Sequence, residues 1–263
     1  MAPVDRRRTL AIAGIGTVAG LFSGLFGVGG GVVMVPLLIL VLKMDERRAT
    51  STSLGAIVLI ASAATVTQGA YGTLHVTEGL LVGVPALGGV LAGTWLQQRI
   101  PARRVSLIFA ALLLVVAVSM VLSTGDADGS GGTDLDVVHV LLAAVFGFAA
   151  GVVSGLLGVG GGTLFVPGLI YVLGLGHVDA EATSLLAMVP MSLLGAWRQH
   201  RYGNLELRTS VTMGVLAIPG ALLGVVLANA LPVRVLEIGF ALLLLYVAQR
   251  LGRRGLKKDA AAA

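Results

Sequence analysis

Two short stretches carry the residues best suited to chemistry. They read Leu25-Phe-Gly-Val-Gly-Gly-Gly31 and Leu156-Leu-Gly-Val-Gly-Gly-Gly162. A helix that starts just after such a run leaves its first backbone N–H groups without intrahelical acceptors. Those N–H groups and the positive end of the helix dipole favour an anion by roughly 0.3–2 kcal/mol per terminus. Glycine lets a ligand reach the backbone and supplies dihedral angles other residues avoid. Gly29, Gly30, Gly31, Gly160, Gly161 and Gly162 are therefore candidate anion ligands. Ser23 and Ser154, one turn earlier, either add hydroxyl donors or bond the carbonyl one turn back. A dinucleotide loop would need a strand before the glycines and a ribose-binding acid after them; the flanks here are long apolar runs instead. Plain close packing of helices at small residues is the other reading of the same glycines.

Other polar residues recur in pairs. Thr52 and Ser53, with Thr183 and Ser184, open an apolar segment in each half. They fit either a helix N-cap or a hydroxyl-lined path. Gln68 and Gln199 end that segment and are candidates to line two vestibules, while Tyr71 and Tyr202 beside them suit interface anchors. His75, His139, His177 and His200 fall near segment ends without metal-ligand spacing. Glu78 and Glu237 lie close to a boundary, shallow for proton carriers. Cysteine is absent, so disulfides, thiolate metal sites and cysteine nucleophiles are excluded. No Ser-His-Asp set, carboxylate pair or phosphate loop is present, and neither metal nor cofactor is implied.

The elements that position these residues follow from composition. Of 263 residues, 56% are hydrophobic and 12% charged, whereas a soluble domain is roughly a quarter charged. Apolar runs of about 20 residues suit a lipid solvent. The net charge of +5 does not point to nucleic acid, because the basic residues sit in short loops between apolar runs. Arg6-Arg7-Arg8 before an apolar stretch has the look of a signal peptide, but the same stretch recurs internally and is expected to be an uncleaved membrane segment.

The recurrence is a duplication. Ala19–Leu38 and Ala150–Leu169 are identical at 13 of 20 positions, at an offset of 131 that continues through Thr52/Thr183, Gln68/Gln199 and Pro101/Pro232. Each half parses into five apolar segments: 9–26, 31–43, 52–70, 77–97 and 104–122, then 137–157, 162–174, 183–198, 207–229 and 233–250. The second of each is too short to cross about 30 Å of hydrocarbon, so it is expected to be a broken or re-entrant helix. The expected organisation is an N-terminal repeat (1–122), a polar extracytoplasmic linker (123–136), a C-terminal repeat (137–250) and a basic cytoplasmic tail (251–263). With both termini cytoplasmic, every Lys and Arg of the 18 except Arg234 falls inside, as the positive-inside rule requires. Five segments per half then turn the second repeat upside down. The fold expected is an all-α integral membrane protein of two inverted-topology repeats, with six long transmembrane helices and two re-entrant hairpins (eight to ten membrane segments). The two tips would meet near the midplane.

The duplicated G-x-x-S-G-x-x-G-x-G-G-G motif, the V-P-x-L and V-P-G-L that follow it, the T-S-L segments and the Q-x-x-Y-G ends resemble the TauE/SafE family of sulfite exporters. The resemblance implies a multi-pass protein of the prokaryotic plasma membrane that moves a small anionic substrate, sulfur-containing or organic, sulfite among them, usually outward. Thiosulfate importers that resemble this family use cysteines along their path, which this chain lacks. The reading is a secondary transporter working by rocking of one repeat against the other. A passive anion channel and an intramembrane enzyme are the alternatives. The lipid bilayer is the one obligatory partner; a homo-oligomer is compatible with the sequence.

Overall fold

The structure, a computed structural model, describes residues 6–72, 74–101 and 136–232, with scattered positions between 104 and 118 and between 234 and 249. Glu237, the linker up to residue 135, the tail and most of the fifth segment of each half lie outside the described residues. What is described is helical throughout: α1 (Arg6–Phe26), α2 (Gly31–Leu40), α3 (Glu46–Tyr71), α4 (Val76–Arg99), α5 (Val137–Leu157), α6 (Gly162–Leu173), α7 (His177–Arg201) and α8 (Leu207–Ala230). Six of these, 21 to 26 residues long, are apolar and long enough to cross a membrane. The offset of 131 carries α1 to α4 onto α5 to α8.

Helix ends follow local chemistry. The Asp45 carboxylate caps α3 by accepting from Arg47 N at 3.2 Å, and Asp136 caps α5 by accepting from Val137 N at 2.7 Å. Both α3 and α7 begin six residues before the segments at 52 and 183 expected from hydrophobicity. The reason is length: 26 residues span about 39 Å, more than the hydrocarbon core, so the polar first turns project beyond it. The hydroxyl pairs 52/53 and 183/184 are therefore helix interior, not N-caps.

Glycines set the packing. A Cβ on Gly16, Gly20 or Gly24 of α1 would fall 2.6, 2.1 or 2.2 Å from the carbonyl oxygen of Met213, Ala217 or Ala221 on α8. The same holds for Gly147, Gly151 and Gly155 of α5 against Val82, Ala86 and Val90 of α4, at 2.2, 2.3 and 2.5 Å. Small residues every fourth position bring these backbones into contact, the lipid-solvent solution to helix association. The consequence is an exchange: α8 packs on α1 and α4 packs on α5. One body comprises α1, α2, α3 and α8; the other comprises α5, α6, α7 and α4. They meet along α3 and α7 and at the glycine runs. Large apolar side chains such as Leu141, Val145, Leu193 and Val226 face outward.

One end of the bundle is basic. There Arg8 and Arg48 converge on Glu206, and Arg99, Arg201 and Arg198 stack on Trp95, Trp197 and Tyr202 at 3.8, 5.5 and 5.7 Å. Such amphipathic pairs suit a membrane–water interface.

Candidate functional site

The two glycine runs touch each other reciprocally. A Cβ on Gly31 would lie 2.5 Å from the Gly158 carbonyl oxygen, and one on Gly162 would lie 2.4 Å from that of Gly27. Three glycines in each run occupy the left-handed region: Gly27, Gly29 and Gly30 at φ 62°, 76° and 71°, and Gly158, Gly160 and Gly161 at 71°, 87° and 83°. An L-residue pays roughly 1–2 kcal/mol for that conformation, which is why the runs are glycine and why α2 and α6 begin abruptly after Gly30 and Gly161. Beneath the junction lie Ile57 and Met188, themselves related by the offset, each within 3.4 Å of a Cβ placed on Gly29 or Gly160.

Hydroxyls from the partner body tie the runs down. Ser53 Oγ donates to the Gly158 carbonyl at 2.6 Å, and Ser184 Oγ donates to the Gly27 carbonyl at 2.6 Å. Each also lies close to a carbonyl of its own helix, Thr50 at 2.8 Å or Glu181 at 2.7 Å. The proton of each serine is thus committed to holding the opposite tip.

The backbone N–H groups of residues 28–32 and 159–163 donate to no backbone acceptor among the described residues. Ser23 and Ser154 are fully buried, and neither Oγ has a hydrogen-bond partner among the described residues. Thr163, in the first turn of α6, is likewise buried with an unpartnered hydroxyl. Buried polar groups are nearly always satisfied. A cluster of orphan hydroxyls and free N–H groups at two facing helix starts, with no basic side chain among these residues, can hold an anion by dipoles alone.

The family model for the sulfite exporter TauE/SafE matches residues 2–120 and 143–262. The chain belongs to this family. Its members are membrane transporters, not enzymes, and the protein is a multi-pass bacterial-type membrane transporter. A "Probable membrane transporter protein YdhB" of Bacillus subtilis (strain 168) is 26% identical, over 83% of this chain and 89% of its own. A "Probable membrane transporter protein" of Haemophilus influenzae is 28% identical over 89% and 94%, and one of Xylella fastidiosa (strain Temecula1) 26% over 83% and 84%. No solved structure matches the chain.

In this TauE/SafE protein the remaining sequence-chosen residues are tied separately to helix starts and to other amides. Thr52 Oγ1 accepts from the backbone N of Glu206 at 3.4 Å, and Thr183 Oγ1 accepts from that of His75 at 3.2 Å. The offset relates these two contacts, so each threonine fixes the start of the exchanged helix. Gln199, fully buried, donates to Gln97 Oε1 and accepts from Asn204 at 3.0 Å. Gln97 in turn donates to Thr50 Oγ1 and the Leu156 carbonyl, both at 2.7 Å. Gln68 accepts from Asn229 at 3.3 Å. Neither glutamine reaches the tips directly through these bonds. Tyr71 and Tyr202 are exposed, as interface anchors are.

Two features escaped the sequence reading. A cavity of about 550 Å³ opens at the basic end, lined by Arg8, Lys43, Arg48, Asp45 and Glu206 among others. Lys43, at its rim, holds φ 53°, unusual for a residue other than glycine. The second is Glu181, whose side chain is 3% exposed and lies 3.4 Å from His177. Its signal in the sequence was an acid where the first half has Thr50.

Proposed function

We propose that this TauE/SafE transporter is a secondary exporter of small sulfur-containing or organic anions, sulfite among them, working by alternating access. The observation that carries the reading is the reciprocal contact of two glycine tips. It joins free N–H groups, two helix starts and buried, unpartnered Ser23 and Ser154. Gly29–Gly31 and Gly160–Gly162 hold the anion, and Ser23, Ser154 and Thr163 donate to it. Ser53, Ser184, Thr52 and Thr183 keep the tips and exchanged helices in position, and Gln68 and Gln199 brace the two ends.

The repeats are inverted in the membrane in this reading, with both termini cytoplasmic and the basic end inside. The parallel register of α1 with α8 and of α5 with α4 supports it, because Arg8 and Glu206 share the basic end while His75 and Asp179 share the other. α2 and α6, of 10 and 12 residues, are re-entrant, each starting at the junction. The moving bodies are not the two sequence halves. The α1–α8 and α4–α5 seams have backbone in contact, with no slack to slide. Access alternates where the bodies meet through small groups and single hydrogen bonds, along α3, α7 and the tips.

The test is counterflow of radiolabelled sulfite in liposomes of purified protein. Saturable counterflow, lost in Gly30→Leu and Gly161→Leu from monodisperse preparations, is the expected result. Flux without counterflow would make the protein a channel instead, and full activity in both variants would remove the site from the tips.

A further inference from the structure

Beside the first tip the two halves differ in charge. His177 and Glu181 stand where the first half has Glu46 and Thr50. Thr50 is satisfied by neutral neighbours, the Arg47 carbonyl at 2.9 Å and the Gln97 amide at 2.7 Å. Glu181 instead puts a nearly buried carboxyl group beside His177, on the turn of α7 that backs the first tip. A Cβ on Gly27 would fall 2.6 Å from Glu181 Cα and 2.8 Å from its Cβ, and Ser184, one turn on, holds the Gly27 carbonyl. An ionisable side chain at such depth is expensive and is retained where it binds something, with its partner beside it. One partner is His177, whose Nε2 lies 3.4 Å from the carboxylate and whose side chain is 21% exposed.

We propose that the His177–Glu181 pair binds a proton in linkage with the anion at the glycine tips, so that each tightens the hold on the other. This rests on the tips being the anion site. The positive end of α7 favours the ionised carboxylate, whereas an anion at the adjoining tip repels it across a poorly screening interior. Filling the tip therefore draws a proton onto Glu181, and by reciprocity protonated Glu181 strengthens anion binding. The partly exposed imidazole of His177 takes the proton from the carboxyl oxygen and passes it to water at its own end of the bundle. Losing the proton there weakens the anion's hold on that side and favours release.

Other titratable groups among the described residues share this end. Asp179 of the same helix is engaged by His75 of α4 at 3.5 Å, and His75 lies 3.9 Å from Glu78. Among the described residues, Gly27 to Gly31 bring no titratable side chain, α5 brings His139 in its first turn, α6 brings only the exposed Tyr171, and the charged residues of α3 sit at the opposite end.

Isothermal titration of sulfite into the purified protein, in buffers of low and high ionisation enthalpy, tests this. Wild type, Glu181→Gln and Glu181→Thr are compared at each pH, so sulfite's own titration cancels. Glu181→Thr carries the first half's residue at this position and guards against misfolding of the amide variant. The expected result is up to one more proton taken up per sulfite by wild type than by either variant. With it, the ratio of wild-type to variant affinity falls by up to tenfold per pH unit as pH rises. Equal proton numbers and a flat ratio would overturn the linkage and leave the anion site standing. No sulfite binding by wild type would overturn the anion-site reading and the linkage with it.

Discussion

Replacing single glycines with alanine separates what the tips owe to backbone conformation from what they owe to contact. Gly72 has φ 76° and nothing within 4 Å of an added Cβ, so Gly72→Ala carries the conformational cost alone, about 1–2 kcal/mol. Gly31 begins α2 with no positive φ, but its Cβ would meet the Gly158 carbonyl oxygen at 2.5 Å and Val159 backbone at 2.7 Å. These atoms are main chain and cannot swing away, so Gly31→Ala carries an overpacking cost of about 1–3 kcal/mol. Gly27 has φ 62° and a Cβ 2.6 Å from Glu181 Cα, so Gly27→Ala carries both, about 2–5 kcal/mol. The order of stability expected in detergent is wild type, then Gly72→Ala, Gly31→Ala and Gly27→Ala. It is read as the temperature at which half the protein stays monodisperse after a fixed heating time, since unfolding here is an irreversible rate process. Counterflow should survive in Gly72→Ala and fall in Gly31→Ala, because only the latter pushes the two tips apart. The same should hold for Gly203→Ala against Gly162→Ala, the offset partners. Gly31→Ala as stable and active as Gly72→Ala would refute the reciprocal contact.

Ser23→Ala and Ser154→Ala remove hydroxyls with no partner, so thermal stability should hold or rise while the sulfite KM increases severalfold; unchanged kinetics would leave the hydroxyls without a role in binding. Ser53→Ala and Ser184→Ala should do the reverse, costing about 1–3 kcal/mol by stranding a buried carbonyl, measured by the same heating assay. Arg47 donates to the Gln98 and Ile100 carbonyls across the seam, both at 3.2 Å, so Arg47→Ala should loosen the basic end and raise cysteine labelling there. A single cysteine at position 129 in this cysteine-free chain should react with an impermeant maleimide only from outside the cell; reaction only from the cytoplasm would end the inverted-repeat topology.

Much of the fold was legible because duplication and solvent both leave strong marks. The offset of 131, the glycine runs and the two short apolar segments foretold α2 and α6 within a few residues. What periodicity withheld was which neighbour each face meets. Thr52, Ser53, Thr183 and Ser184 were recognisable as a hydroxyl cluster, but nothing in the sequence says that serines grip carbonyls while threonines accept from the start of α4 or α8. The exchange of α4 and α8 was hidden for the same reason. Glycines at 16, 20 and 24 announce a close neighbour without naming it. Glu181 was passed over because the helix was expected to begin after it, at 183, rather than at His177.

That exchange constrains any mechanism. If the halves moved as sequence units, α1 would part from α8 and α5 from α4, and ten or so backbone-to-backbone glycine contacts would open in lipid, where no water replaces them. If the exchanged bodies move, the parting surface holds Ile57 against Met188, two serine–carbonyl bonds, the Gln97–Thr50 bond and the tips. The serine contacts there are single and flanked by another acceptor: Ser53 and Ser184 already lie beside carbonyls of their own helices at 2.8 and 2.7 Å. A serine released from the opposite tip therefore keeps a partner, and the cost is confined to the tip carbonyl it leaves. The seam that can open cheaply is thus the one that holds the tips. Cross-linking across α1 and α8, by Thr17→Cys, whose native hydroxyl reaches the Leu216 carbonyl at 3.1 Å, with a matched cysteine on α8, should leave counterflow intact, whereas a link between Ile57→Cys and Met188→Cys should stop it. Transport surviving the second link but not the first would return the motion to the sequence halves.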